Sequence, residues 1–540
     1  MPRVAGWIDA IFVDLARQMR WSYLPPLMVY FAAGCSGLTL IVGTFFVKDY
    51  LDFTAAEVAA LAFWAGLPWA LKMPLGHLVD LIWRWKGYLV WFGASLIALS
   101  VGIMVLVMTR PDAMTALMPL ELWYATSFIL SPCGLVVQDA VADAMSIDAV
   151  PLCEADGTPI SDHDAKVMHT TMQTLGRFAL IGGTVVVALV NIAMFSGIES
   201  LNAAQKADIY ASIYTGALAI PVISVSGVAL AAWQKRRALH HMRTAGLSDT
   251  AIAELREGVV PQTRANPWYF IGGALFLMLT LAIGLGGVRY GQEIIFAGSM
   301  AVVLLLMRQL VSVLTRAQAR TLIGTAIIIF VFRAVPLPGE GLTWFNIDVL
   351  GFDQQFLSVL SLITSALTLV GLLVLRPLMA ERRIVWIVVM LTLAAGLLAL
   401  PNIGLYYGVH EWTAALTEGV VDARFIAILD TAAESPLGQI AMIPMLAWIA
   451  RAAPRELKAT FFAVMASFTN LALSAAALLT RYLNEVFIVS REVRDASDEV
   501  ITQADYSQLG VLLMVVAGVS VAAPLLTIWL VQKSRLRTEE

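Results

Sequence analysis

Apolar residues run through this chain in long blocks separated by short polar turns, and each block is about as long as a bilayer is thick. A helix that spans a membrane needs about 20 predominantly apolar residues. Fourteen stretches meet that length, at 23–47, 58–80, 86–108, 120–148, 169–195, 208–232, 268–288, 291–313, 320–335, 353–376, 383–402, 423–450, 458–482 and 507–532. The pattern predicts an all-α integral membrane protein of about fourteen spans. Ahead of the first block, Trp7, Ile8, Ile11, Phe12, Leu15 and Met19 recur at helical spacing, with Asp9, Asp14, Arg17 and Arg20 elsewhere. That is the pattern of a helix lying on a membrane surface.

The placement of Lys and Arg tests the spans, because cytoplasmic loops carry the excess. With the N-terminus inside, 23 of these residues fall in cytoplasmic segments and six in external ones: Lys48, Arg110, Lys206, Arg289, Arg491 and Arg494. Removing any one span would scramble the asymmetry downstream of it. Both termini are therefore expected on the cytoplasmic side of a cell inner membrane. No cleavable signal is recognisable, so the first span is expected to direct insertion.

Composition agrees and narrows the function classes. The 540 residues are 59% hydrophobic and 14% charged, with mean hydropathy +0.79, against roughly 45–50% and ~25% for soluble domains. A net charge of −4, with no basic run interleaved with aromatics, gives no support for a nucleic-acid partner. Cys35, Cys133 and Cys153 lack metal or disulfide spacing. His77, His163 and His169 form no metal-ligand spacing either, and no metal or cofactor is expected. There is no Walker loop, no repeated filter-like glycine motif, and no nucleophile and base at a recognisable spacing. An ATP-driven pump, a channel and an enzyme are therefore set aside, and coupling to an ion gradient remains.

Internal marks divide the chain. Ser131-Pro132-Cys133-Gly134 recurs 304 residues later as Ser435-Pro436-Leu437-Gly438, and Pro151 has its counterpart in Pro454. Gly76-x-x-x-Asp80 with Arg84 and Lys86 matches Pro377-x-x-x-Glu381 with Arg382 and Arg383. The near-equal offsets predict two six-helix bundles, at 23–232 and 319–532, joined by a cytoplasmic loop at 233–267 and an inserted helix pair at 268–318. A surface segment at 1–22 and a tail at 533–540 complete the chain. Chance recurrence of small motifs in apolar sequence is the competing reading. Parallel halves of this kind place a transporter's site near the midplane between them.

Ionisable residues inside spans cost about 2.5–3.5 kcal/mol at a helix centre, so they pair or line a polar path. Lys72 on the second span, Asp139 on the fourth and Arg177 on the fifth each lie eight or nine residues from the cytoplasmic end, about 12 Å in for Lys72. Asp143 shares a helix face with Asp139, and Gln173 shares one with Arg177. One reading has Lys72 and Arg177 attract a carboxylate of the solute, while Asp139 or Asp143 carries a proton or binds the amino edge of a ring. The other has the four charges only hold helices together. Asp430 and Glu434 form a second pair one turn apart, nearer the outer side, and are further candidates for proton coupling. On the thirteenth span Ser467, Asn470 and Ser474 share a face, as a solute contact at Asn470 or as glue between helices.

Several motifs together resemble a known family. Gly66-Leu-Pro68-Trp69-Ala-Leu-Lys72-Met-Pro74-Leu-Gly76, Gln138-Asp139-Ala-Val-Ala-Asp143-Ala144 and Gln173-x-x-Gly176-Arg177 resemble elements of the folate–biopterin transporter family, within the major facilitator superfamily. Pro336-x-Pro338, Trp344-Phe345, Leu350-Gly351-Phe352 and the run from Pro454 and Glu456 through Thr460, Ala463 and Ser467 to Asn470 resemble its second half. The turn Gly76-x-x-x-Asp80 with Arg84 resembles the superfamily's gating signature, and Glu381 and Arg382 take the matching places. Met73 and Val79 depart from the family pattern. The resemblance implies alternating-access transport of a folate, a pterin or a similar anion. Protons are the expected coupling ion, because titratable carboxylates lie in the spans, and Na+ is the alternative. Another solute, or a membrane assembly factor that transports nothing, remains the alternative.

Overall fold

The computed structural model describes residues 19–51, 53–150, 160–244, 267–286, 288–312, 314–374, 383–437, 458–494 and 500–537. The surface segment expected before residue 19 lies outside them. Every one of the fourteen apolar blocks is overlain by a helix, the 423–450 block as far as residue 437. In chain order these are α1 (Trp21–Tyr50), α2 (Ala55–Leu81), α3 (Gly87–Thr109), α4 (Leu120–Asp148), α5 (Asp162–Met194), α6 (Ala204–His240), α7 (Pro267–Leu285), α8 (Gly291–Ser312), α9 (Arg316–Arg333), α10 (Gln354–Val374), α11 (Ile384–Tyr406), α12 (Ala423–Glu434), α13 (Lys458–Val486) and α14 (Leu509–Lys533). Among the described residues, nine of them (α1–α6, α10, α11 and α14) contain a stretch long and apolar enough to cross a membrane by length and composition. The one sheet among the described residues is the antiparallel hairpin of β1 (Val493–Arg494) and β2 (Val500–Thr502).

Close helix approach is built on glycine. A Cβ at Gly34 of α1 would lie 1.9 Å from the Leu180 carbonyl oxygen of α5, and one at Gly93 of α3 would lie 2.6 Å from that of Gly134 on α4. Small residues let backbones meet where the hydrophobic effect cannot drive association, because lipid is as apolar as the helices. Breaks in the helices sit where polar side chains can take over the freed backbone groups. In α1 a 3-10 stretch covers Ser36–Thr39, and Asn191 of α5 donates to the Leu38 carbonyl at 3.3 Å. In α2 the 3-10 stretch Leu67–Leu71 carries Pro68 at its start, and Lys72 opens the helix that follows.

Helices α1–α6 pack among themselves, as do α9–α14, and the two sets meet where α5 lies against α10 and α2 against α13. The pair α7 and α8 runs along that second seam. A Cβ at Gly273 of α7 would lie 3.3 Å from Pro74 of α2, His77 of α2 faces Phe270, and Gln292 of α8 donates to the Ala60 carbonyl at 3.1 Å. Arg481 of α13 in turn donates to Gln292 at 3.0 Å. The inserted pair thus touches one helix from each set.

Candidate functional site

The break in α2 delivers an ammonium to two carboxylates one turn apart on α4. Lys72 Nζ lies 2.5 Å from Asp139 Oδ2 and 3.0 Å from Asp143 Oδ2. The physical reason is mutual: an unpaired lysine is costly in hydrocarbon, and like charges at this helix spacing repel unless a cation stands between them. Relative exposures of 33% for Lys72, 19% for Asp139 and 47% for Asp143 leave one side of the cluster reachable. Tyr30 of α1 donates its hydroxyl to Asp143 Oδ1 at 2.8 Å. On α5, Gln173 donates to the Ser146 hydroxyl at 3.0 Å, while Arg177 is exposed and makes no ion pair among the described residues. The charge of Arg177 nevertheless acts on Asp139.

The other expected residues lie elsewhere. Asn470 is half-buried on α13, near buried Ser467 and Ser474, and Ser474 approaches Gly66 just before the α2 break. Asp430 accepts from Asn402 of α11 at 3.0 Å, leaving its Oδ1 buried without a partner, and Glu434 is exposed. Their helix packs on α10 and α11, so neither joins the Lys72 cluster. Gly76 and Asp80 are half-buried near the end of α2, and Arg84 is exposed. Lys86, in the same turn, pairs with Asp148, lies 3.4 Å from the Trp83 ring centroid and is 7% exposed. Burial lowers the pKa of Lys86, with Asp148 opposing the shift. Glu381 and Arg382 lie outside the described residues, as do Pro454 and Glu456.

At the opposite end the two helix sets are tied by charges that the sequence had not singled out as a group. Lys48 at the end of α1 lies 2.6 Å from Asp348, which ends a short helix Glu340–Asp348. Asp348 also accepts from the Tyr506 hydroxyl at 2.5 Å and from the Glu492 backbone N–H at 3.3 Å. Arg491, 6% exposed, donates across to the carbonyls of Leu51 and Phe53, the latter at 2.7 Å. Arg424 pairs with Asp353 at 3.1 Å and with Glu199 at 3.5 Å. Burial raises the Asp353 pKa, but the Glu199 carboxyl, the Phe356 N–H and Arg424 together outweigh it and hold the group below the usual range.

Comparison with known proteins adds the family context. Residues 171–540 match the BT1 family. A folate-biopterin transporter of Synechocystis sp. (strain ATCC 27184 / PCC 6803 / Kazusa) is 20% identical over 521 residues, covering 95% of this chain and 82% of the relative. Among solved structures, a POT family transporter in complex with 5-aminolevulinic acid aligns with TM-score 0.57 at 13% identity, covering 95% of this chain and 96% of that one. The nucleoside transporter NupG aligns with TM-score 0.54 at 12% identity, covering 94% of this chain and 99% of its own.

Proposed function

This chain belongs to the BT1 family of multi-pass membrane transporters and has the major facilitator fold, and on that premise we propose that it moves a folate, a pterin or a similar small organic anion by proton-coupled alternating access. The observation that carries the reading is the asymmetry of the charges: Lys72 is held by Asp139 and Asp143, whereas Arg177 one helix away makes no ion pair among the described residues. A free guanidinium in an apolar bundle is suited to bind a carboxylate in bidentate fashion. Protonation of Asp139 or Asp143 weakens their hold on Lys72 and frees a second cation, which links proton and anion binding. Gln173 and Asn470 supply polar contacts, and Asp430, with one carboxyl oxygen unpartnered, and Glu434 are secondary proton sites.

The reading extends to topology. About fourteen helices span a cytoplasmic membrane with both termini inside, as two six-helix bundles, 23–232 and 319–532, with the pair 268–318 between them. The Lys48, Asp348 and Arg491 contacts then close the outer side, and Gly76, Asp80 and Lys86, with Arg84, Glu381 and Arg382, belong to the inner gate. Purified protein in liposomes tests it. Labelled folate or biopterin should accumulate under an inward proton gradient, and the accumulation should collapse with an uncoupler. Accumulation of neither compound rejects the solute assignment, and uptake that follows a Na+ gradient while ignoring the uncoupler rejects proton coupling.

A further inference from the structure

Arg177 makes no ion pair among the described residues, and its neighbour Tyr30 bears on why. The register between α4 and α5 is set by Gln173 meeting Ser146 at 3.0 Å. The helices run antiparallel, so one turn further along α5 Arg177 comes level with the turn of α4 that carries Asp143. A guanidinium so placed has a strong pull toward a carboxylate. Both oxygens of Asp143 are already engaged, however: Lys72 holds Oδ2 at 3.0 Å and the Tyr30 hydroxyl donates to Oδ1 at 2.8 Å.

The Tyr30 ring is fixed in that role. It is 8% exposed, and its Cδ2–Cε2 edge packs against α5 at Gly176, where an added Cβ would come within 3.0 Å of Cε2 and 3.1 Å of Cδ2. Glycine at that position makes the space for the ring, directly before Arg177 in the chain. The Tyr30 side chain therefore touches α4 at Asp143 and α5 at the residue before Arg177.

We propose that Tyr30 is a positioning residue that, by occupying Asp143, keeps Arg177 unpaired and available to the carboxylate of an anionic solute. This rests on the reading of Arg177 as the solute's anchor. Without the hydroxyl, Asp143 Oδ1 loses the donor that Tyr30 supplies, and Arg177 is the cation that α5 brings level with it. The internal pair that forms competes with the solute, so anion affinity falls although no residue that touches the solute has changed.

The test uses the full-length protein in detergent and two readouts. Modification of Arg177 by phenylglyoxal, followed by peptide mass spectrometry, reports whether the guanidinium is free and needs no solute. Tyr30→Phe, which keeps the ring, should slow modification about fivefold, the effect of an ion pair worth about 1 kcal/mol. Tyr30→Phe combined with Asp143→Asn should restore the wild-type rate, because the competing charge is gone. Unchanged modification in Tyr30→Phe, or slowing that persists in the double variant, overturns the proposal. The second readout is equilibrium binding of labelled folate, whose Kd should rise by a similar factor in Tyr30→Phe. If the wild type binds no folate, the solute assignment fails and the phenylglyoxal result still decides the role of Tyr30.

Discussion

The contacts around Asp348 predict that one carboxylate holds one end of the transporter shut. Asp348 receives Lys48 at 2.6 Å, the Tyr506 hydroxyl at 2.5 Å and the Glu492 amide at 3.3 Å, and both charged partners are only 10% exposed. Asp348→Asn removes the charge and leaves Lys48 with Asp49 alone, at 3.5 Å. Removing one partner of a buried pair costs about 3–5 kcal/mol. With Asp49 sharing the lysine and water close to the loops, about 2–3 kcal/mol is the reasonable fraction of that range. If the bond exists only when this end is closed, the loss moves the closed-to-open ratio by roughly 30- to 150-fold. Spin labels at Leu117→Cys and Leu416→Cys, both strongly exposed at 78% and 64% on the two helix sets, report the opening. In a background without Cys35, Cys133 and Cys153, pulsed electron resonance should show a longer distance growing in for Asp348→Asn. An unchanged distance distribution in a monodisperse, folded variant would refute the argument that Asp348 fastens this end.

Three further outcomes follow from the same geometry. Lys72→Ala should abolish solute uptake and lower thermal stability by about 2–3 kcal/mol, less than for a fully buried pair because Asp143 is 47% exposed; Lys72→Ala with Asp139→Asn should recover much of the stability without recovering uptake, and full uptake in Lys72→Ala would sink the site. Gly93→Ala should cost about 1–3 kcal/mol, read as a lower unfolding temperature, because the new Cβ would meet the Gly134 carbonyl at 2.6 Å; an unchanged unfolding temperature would mean that α3 and α4 can separate freely. Asp353 is held below the ordinary aspartate range, so its ionised form stabilises the fold above the unfolded pKa of about 3.9, and that contribution fades as pH falls through the lower folded value. Unfolding temperatures of wild type and Asp353→Asn should therefore differ at pH 7 and converge toward pH 3, and a gap that widens in acid would contradict the sign.

What the sequence makes legible follows from where charge is expensive. Hydropathy marks the helices well: the 120–148 block matches α4 residue for residue. It misses helical extensions that leave the apolar zone. The α5 helix starts at Asp162, seven residues before its apolar block, under a Ser161 cap whose hydroxyl accepts from the Asp164 N–H at 3.2 Å, and α6 runs on through Lys235, Arg236 and Arg237. Lys72, Asp139 and Asp143 could be grouped from spacing alone because hydrocarbon leaves such residues few options beyond one another. Tyr30 was not, since a phenol in a span is cheap enough to need no explanation by itself, although an unbranched pair of acids on α4 with one lysine between them calls for another donor. The Lys48, Asp348 and Arg491 contacts were beyond reach for the opposite reason. Near water an ion costs little, so a latch residue and a solvated one read alike, and Arg491 spends its donors on the backbone carbonyls of Leu51 and Phe53, more than 400 positions away, which have no side-chain signature at all. The same difference in dielectric that makes the midspan charges conspicuous thus hides the charges that join the two helix sets, and only tertiary structure recovers the latter.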